Sequence, residues 1–80
     1  MWKINLDTIK KCEDLVRICQ KYQNKINVDI CYGRYLVDGC SMLGVMSLLL
    51  HEVEIWIPKT DEIVTKKFEE EIAEIGAWKE

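Results

Sequence analysis

Several features are scarce or missing in this chain, and each absence argues against one class of protein. The longest uninterrupted apolar runs are a few residues, far short of the roughly 20 that cross a bilayer, so we expect no membrane insertion. No basic stretch precedes an apolar one near residue 1, so we expect no export signal. The net charge of −3 leaves no basic stripe, which disfavours a nucleic-acid partner. These absences together favour a soluble, cytoplasmic protein.

The spacing of the four cysteines also excludes familiar sites. None of them forms the C-x-x-C pattern that is typical of zinc and redox motifs. Cys12 and Cys19 fall on the apolar side of a predicted helix, where a reduced cysteine acts as a small hydrophobe. The acidic residues at 13–14 and 69–71 are typical of solvated helix faces rather than of paired acid-base carboxylates. We therefore expect no metal, no cofactor and no enzymatic activity.

Four segments are predicted to be strands, residues 2–6, 26–30, 35–37 and 53–57. Apolar and polar residues alternate in the first, second and fourth of them, which is typical of strands with one buried face. Gly33 and Arg34 lie between the second and third segments, which predicts a hairpin. Pro58 has no backbone donor and ends the fourth.

Apolar residues three and four positions apart predict two long amphipathic helices. The first is capped by Asp7 or Thr8. Its buried stripe is Ile9, Cys12, Leu15, Val16, Cys19 and Tyr22. The last helix opens at Thr60 and ends at Gly76. Its buried stripe is Ile63 or Val64, Phe68, Ile72 and Ile75.

With a short apolar helix after the third strand, the predicted order is β-α-β-β-α-β-α. At 80 residues the chain forms one domain, residues 1–80, in which all apolar elements share a core. Strands with a polar outer face need helices on one side only. We predict an α+β fold, an open-faced β-sandwich in which three helices cover one face of a four-stranded, mostly antiparallel sheet.

Ser41 stands at the start of the short helix, which is predicted to run to about Leu49. Its hydroxyl is suited to accept a hydrogen bond from a first-turn amide, which is a purely structural role. A phosphate at the same place would meet free amides and the positive end of the helix dipole, which suits regulation. The residues alone leave both roles open.

Three apolar residues of the same helix, Met42, Leu43 and Met46, are candidates for a docking surface. They are equally compatible with a place in the core. Val45, Leu48 and Leu49 already supply an inward face, however, and methionine adapts well to a partner surface. We therefore expect the first three to be partly exposed and to bind a partner protein.

The run from Tyr32 to Leu48, together with Glu52 to Ile57, resembles the central segment of HPr, the histidine-containing phosphocarrier of the bacterial sugar phosphotransferase system. The element order of nearly the whole chain is also similar to that of HPr. The resemblance implies that Ser41 is the regulatory serine phosphorylated by HPr kinase. It also implies that the helix residues named above form the patch that docks enzyme I, the kinase and regulators such as a transcriptional regulator.

The resemblance weakens at the family's active site. Aligning the first helix places Thr8 at the histidine that carries the phosphoryl group, Lys10 at an arginine and Lys11 at a proline. A phosphoimidazole can pass its phosphoryl group on, whereas a threonine phosphate is a stable ester. One interpretation is that the three residues mark a vestigial active site whose free amides can still bind an anion. The other is that the two lysines are simply solvated. The single histidine, His51, lies after the short helix.

The resemblance thus implies a regulatory or binding paralogue of HPr that works without histidine phosphotransfer. Two alternatives remain open. The first is an active phosphocarrier with an unconventional acceptor. The second is an unrelated small α+β interaction domain in which Ser41 is only a helix cap.

Overall fold

The computed structural model describes residues 1–80, which form five strands and three helices. In chain order they are β1 (Trp2–Asn5), α1 (Ile9–Lys21), β2 (Asp29–Tyr32), β3 (Tyr35–Asp38), α2 (Met42–Met46), β4 (Glu52–Trp56), α3 (Glu62–Glu74) and β5 (Trp78–Lys79). The predicted α+β class and the order of the first seven elements are confirmed. None of the helices is long and apolar enough to span a membrane.

The strands form one open sheet in the order β3-β2-β4-β1-β5, and every neighbouring pair is antiparallel. The prediction of four strands is wrong. Trp78 pairs with Lys3 and Lys79 pairs with Trp2, which adds a fifth strand outside β1. A strand of two residues is too short to show alternation, so only its pairing identifies it.

The register divides the sheet into a covered face and an open one. Ile4 lies opposite Val53, and Ile30 lies opposite Ile55, and all four side chains are buried. They belong to one cluster of 17 buried apolar residues that also includes the buried residues of all three helices. The helices therefore pack on one face, and the alternate strand residues point away from them.

The hairpin between β2 and β3 turns at the predicted residues. Tyr32 pairs with Tyr35, and Gly33 between them has φ +58°, a left-handed conformation that glycine adopts without steric cost. β3 forms one edge of the sheet and pairs only with β2.

The helix ends refine the sequence predictions. Thr8 caps α1, as one of the two predicted candidates. The predicted start of α3 at Thr60 is wrong by one residue, because the Asp61 carboxylate accepts hydrogen bonds from the backbone of Ile63 at 2.8 Å and Val64 at 3.3 Å. Gly76 follows α3 with φ +107° and ends it as predicted.

Two residues assigned to buried stripes are exposed instead. Ile9 and Ile63 each lie in the first turn of their helix, and this turn extends past the core. Val64, the alternative at the start of α3, is half-buried and packs against the core. α2 is also shorter than predicted, since tight turns rather than a regular helix lead from Ser47 to Leu50.

Candidate functional site

Ser41 caps α2 as predicted. Its Oγ accepts a hydrogen bond from the backbone of Gly44 at 3.2 Å, and its carbonyl accepts one from Val45 at 2.9 Å. The backbone N–H groups of Met42 and Leu43 donate to no protein atom. Ser41 is half-buried, and it stands at a helix start where two amides are free.

A tight turn places Ser41 after the edge strand β3. The backbone N–H of Ser41 donates to the carbonyl of Asp38 at 3.0 Å, and the Asp38 carboxylate accepts from the backbone of Cys40 at 2.8 Å. The side-chain amide of Gln20, near the C-terminal end of α1, donates to the Cys40 carbonyl at 3.2 Å. These bonds fix the start of α2 against α1 and leave the Asp38 carboxylate as a nearby negative charge.

The predicted partner-binding residues differ in exposure. Leu43 is 86% exposed and Met42 is 39% exposed. Met46 is half-buried and packs against the core beside Val45 and Leu48, which are buried. Leu43 and Met42 are thus exposed, and Met46 is less accessible to a partner.

Leu50, four residues after the end of α2, is a further exposed leucine that was missed in the sequence. It is 76% exposed, and it is the only non-glycine residue with a positive φ, at +75°. Turns rather than a regular helix lead to it from Ser47, so helical spacing in the sequence gave no signal for it. We call Met42, Leu43 and Leu50 the α2 patch.

The residues predicted to mark a vestigial active site, Thr8, Lys10 and Lys11, form local contacts. The Thr8 hydroxyl accepts from the backbone of Lys11 at 3.1 Å. The Lys10 ammonium lies 3.3 Å from the Asp14 carboxylate, and the Lys11 ammonium lies 3.3 Å from the Asp7 carboxylate. Both lysines therefore pair with acids of α1 or of the segment just before it, and their charge is partly neutralised.

The structure does not bring Thr8 together with Ser41. Thr8 begins α1, whereas Ser41 follows Cys40, which contacts Gln20 near the other end of the same helix. The 13 residues of α1 separate the two ends by about 20 Å, at 1.5 Å per residue. The two regions therefore act as separate surfaces.

His51 lies closer to the Thr8 region in space than in sequence. Its carbonyl accepts from the backbone of Leu6 at 3.0 Å, two residues before Thr8. Its exposed ring stacks on Tyr32 with a centroid separation of 4.3 Å, and neither ring nitrogen has a hydrogen-bond partner in the protein. The sequence alone gave no reason to connect these positions, because the contact depends on the pairing of β1 with β4.

Two of the four thiols lie in the core. Cys12 and Cys19 are buried, as predicted. Burial raises the pKa of Cys19 to about 12 and also raises the pKa of Cys12, so both stay protonated at neutral pH. No three histidine, cysteine or acidic side chains come close enough together to hold a metal ion.

Comparisons of this chain with protein-family models, with curated proteins and with solved structures find no match. The resemblance to HPr therefore depends on the residues and the element order given above.

Proposed function

We propose that this chain is an HPr-like regulatory or binding protein of the phosphotransferase system, located in the cytoplasm. It acts by docking partner proteins on the α2 patch and is regulated by phosphorylation of Ser41. It does not carry phosphate on the residue at the family's histidine position. The partners are the kinase, enzyme I or a transcriptional regulator of that system.

The observation that carries this proposal is the exposure of Leu43 two residues after the Ser41 cap. A leucine with 86% of its surface in water contributes almost nothing to the core. Leu50, in the turns that follow α2, is exposed in the same way, so the segment presents more than one apolar side chain to solvent. Apolar side chains grouped in this way are typical of protein-binding surfaces.

Phosphorylation of Ser41 would change this surface mainly by charge. The phosphate oxygens are suited to accept from the free N–H groups of Met42 and Leu43, so little rearrangement is needed. Asp38 opposes the added charge, and none of the ion pairs in the protein brings a cation to Ser41. The modified patch is therefore strongly negative, which favours a regulator with a basic surface and disfavours acidic partners.

The direct test is incubation with HPr kinase and ATP, followed by intact mass measurement. We expect the mass of one phosphate, and we expect Ser41→Ala to abolish it. Ser47→Ala is the matched control, because Ser47 is an exposed serine of the same segment and its hydroxyl donates to the Gly44 carbonyl at 2.5 Å. Phosphate on the Ser41→Ala variant, or none on the wild type, overturns the regulatory role.

The docking role has its own test. Binding to enzyme I and to the kinase is measured for Leu43→Glu and for Ile63→Glu, which makes the same change from apolar to charged at an exposed residue of α3. We expect Leu43→Glu alone to abolish binding, because the charge replaces the apolar contact. Equal binding by both variants removes the α2 patch from the proposal.

A second candidate function is phosphotransfer through an unconventional acceptor, and His51 is the observation that favours it. Its imidazole is exposed and has free nitrogens, and its backbone carbonyl is bonded to Leu6, two residues before Thr8. Incubation with enzyme I and phosphoenolpyruvate tests this candidate. An acid-labile phosphate that is lost in His51→Gln supports this candidate. If neither enzyme I nor the kinase adds a phosphate, the chain is an unrelated interaction domain.

A further inference from the structure

The face of the sheet that no helix covers carries an excess of negative charge. Its outward strand residues include four carboxylates and a single basic residue, Lys3. The carboxylates are Asp29, Asp38, Glu52 and Glu54. Lys3 is already engaged, since its ammonium lies 3.0 Å from a carboxylate oxygen of Glu80 and 3.9 Å from one of Glu52. We call this surface the outer face.

Large apolar side chains lie among these charges. Trp56 is 46% exposed, and Trp78 and Leu36 are also exposed. The indole of Trp56 donates to the Glu54 carboxylate at 3.0 Å, which holds the ring in one orientation on the surface. Trp78 lies directly opposite Lys3 on the neighbouring strand.

Two of the carboxylates oppose one another. Asp29 and Asp38 are directly paired across β2 and β3, and neither forms an ion pair with any lysine or arginine of the chain. Like charges at such paired positions destabilise a sheet. Trp56 is the next residue in the same row, opposite Asp29 on β4. A cation bound between Asp29 and Trp56 would relieve the repulsion and gain a cation–π contact.

We propose that the outer face is a docking surface for a basic, partly apolar segment of another protein. Arginine or lysine side chains of that segment pair with the outer carboxylates and stack on Trp56, and its apolar side chains pack on Leu36 and Trp78. The charge of the face determines this choice of partner. A second copy of the chain, a nucleic acid and an anionic membrane would each bring negative charge to a negative surface.

Apart from Asp38, whose carboxylate also lies near Ser41, this surface shares no residue with the α2 region. α2 packs on the covered side of the sheet through the buried Val45, whereas the outer face points the opposite way. A partner on one surface leaves the other accessible. The chain is therefore suited to bridge two proteins.

The test uses the full chain and a short synthetic peptide in which arginine and leucine alternate. We expect the peptide to change the tryptophan fluorescence and to shift the backbone amide NMR signals of β1, β2 and β4. Binding should weaken as salt is added. The same peptide with glutamate in place of arginine should not bind.

A pair of charge variants locates the site. Asp29→Asn combined with Glu54→Gln keeps both shapes and both hydrogen-bond acceptors, and we expect it to weaken binding about tenfold. Glu70→Gln combined with Glu74→Gln removes the same charge from exposed positions of α3 and should leave affinity unchanged. Leu43→Glu should also leave it unchanged, which separates this proposal from the function of the α2 patch.

Three results overturn the proposal. The first is the absence of any fluorescence or NMR change with the arginine peptide. The second is equal weakening by the two charge variants, which shows attraction by net charge alone. The third is concentration-dependent self-association in analytical ultracentrifugation that Trp56→Ala abolishes, which assigns the outer face to a second copy of the chain.

Discussion

The indole Nε1 of Trp2 lies 2.6 Å from the carboxylate Oε2 of Glu69, and this hydrogen bond joins the first strand to the last helix. The acceptor is charged and both residues are half-buried, so the bond contributes more than an exposed one. We expect Trp2→Phe to lower the free energy of unfolding by about 1 to 3 kcal/mol. Urea denaturation measures the loss.

Trp56→Phe is the matched control for this prediction. The Trp56 indole also donates to a glutamate, Glu54, but the bond lies on the exposed outer face. Its removal should change the free energy of unfolding by about 0.5 kcal/mol or less. Equal losses in Trp2→Phe and Trp56→Phe contradict the assigned role of the Trp2–Glu69 bond.

Gly39 is required by the close approach of α1 to the end of β3. A Cβ at this position would lie 2.8 Å from Cys19 Sγ and 2.9 Å from the backbone oxygen of Val28. Gly39→Ala therefore forces the helix or the strand to shift, at a cost of about 1 to 3 kcal/mol. Adding Cys19→Ala removes the sulfur contact and should recover part of the loss, since the Val28 contact remains. Strictly additive effects in the double-mutant cycle contradict this account.

The helices and the Ser41 cap were predictable because local chemistry determines them. Three- and four-residue spacing identified α1 and α3, and a serine before an apolar turn identified the start of α2. β5 was not predictable, because two residues carry no period and pair only with β1 in the folded chain. Asp61 and Thr60 are both good caps, so their chemistry alone did not decide between them.

The candidate site was predictable only in part, for a similar reason. Leu43 followed from the turn after Ser41, but the half-burial of Met46 depends on how α2 packs on the core. The position of His51 beside Leu6 depends on long-range strand pairing. Features that arise from contacts between distant segments leave no local pattern in a single sequence.

Tyr22 and Glu71 should make stability depend on pH at the alkaline end. The Tyr22 hydroxyl donates to the Glu71 carboxylate, and mainly for this reason the pKa of Tyr22 rises to about 12. A pKa that is higher in the folded state than the ordinary value of 10 stabilises the fold below pH 10 and loses that contribution as the pH approaches 12. Urea midpoints should therefore fall across this range, and Tyr22→Phe should flatten the decline.

Tyr22 and Glu71 should also make stability fall at acidic pH. The hydrogen bond from Tyr22, aided by the Lys21 ammonium at 3.0 Å, lowers the pKa of Glu71 below its ordinary value of 4.5. Its contribution is present above pH 4.5 and is lost as the pH falls through the lowered pKa. Glu71→Gln should reduce the acid-limb decline and, in an absorbance titration of tyrosinate, lower the pKa of Tyr22. An unchanged tyrosine titration in Glu71→Gln contradicts the pairing.

Leu50 offers the sharpest link between backbone strain and binding. A left-handed conformation costs a residue with a Cβ about 1 to 2 kcal/mol, whereas glycine adopts it freely. Leu50 has φ +75°, and its side chain is 76% exposed. A glycine here would therefore relieve backbone strain and remove little buried apolar surface. We expect Leu50→Gly to raise the free energy of unfolding by about 1 kcal/mol. Leu43→Gly, in the regular helix α2, should lower it by a similar amount.

Leu50→Gly should also weaken binding of the partner that the α2 patch recognises, so that stability and affinity change in opposite directions. Such a result means that the strained, exposed leucine is retained for contact with the partner, since folding alone favours glycine at this position. Parallel measurements of urea unfolding and of binding to enzyme I or the kinase decide the matter. A stabilised variant with full affinity removes Leu50 from the docking surface, and a destabilised variant shows that its side chain contributes to the fold instead.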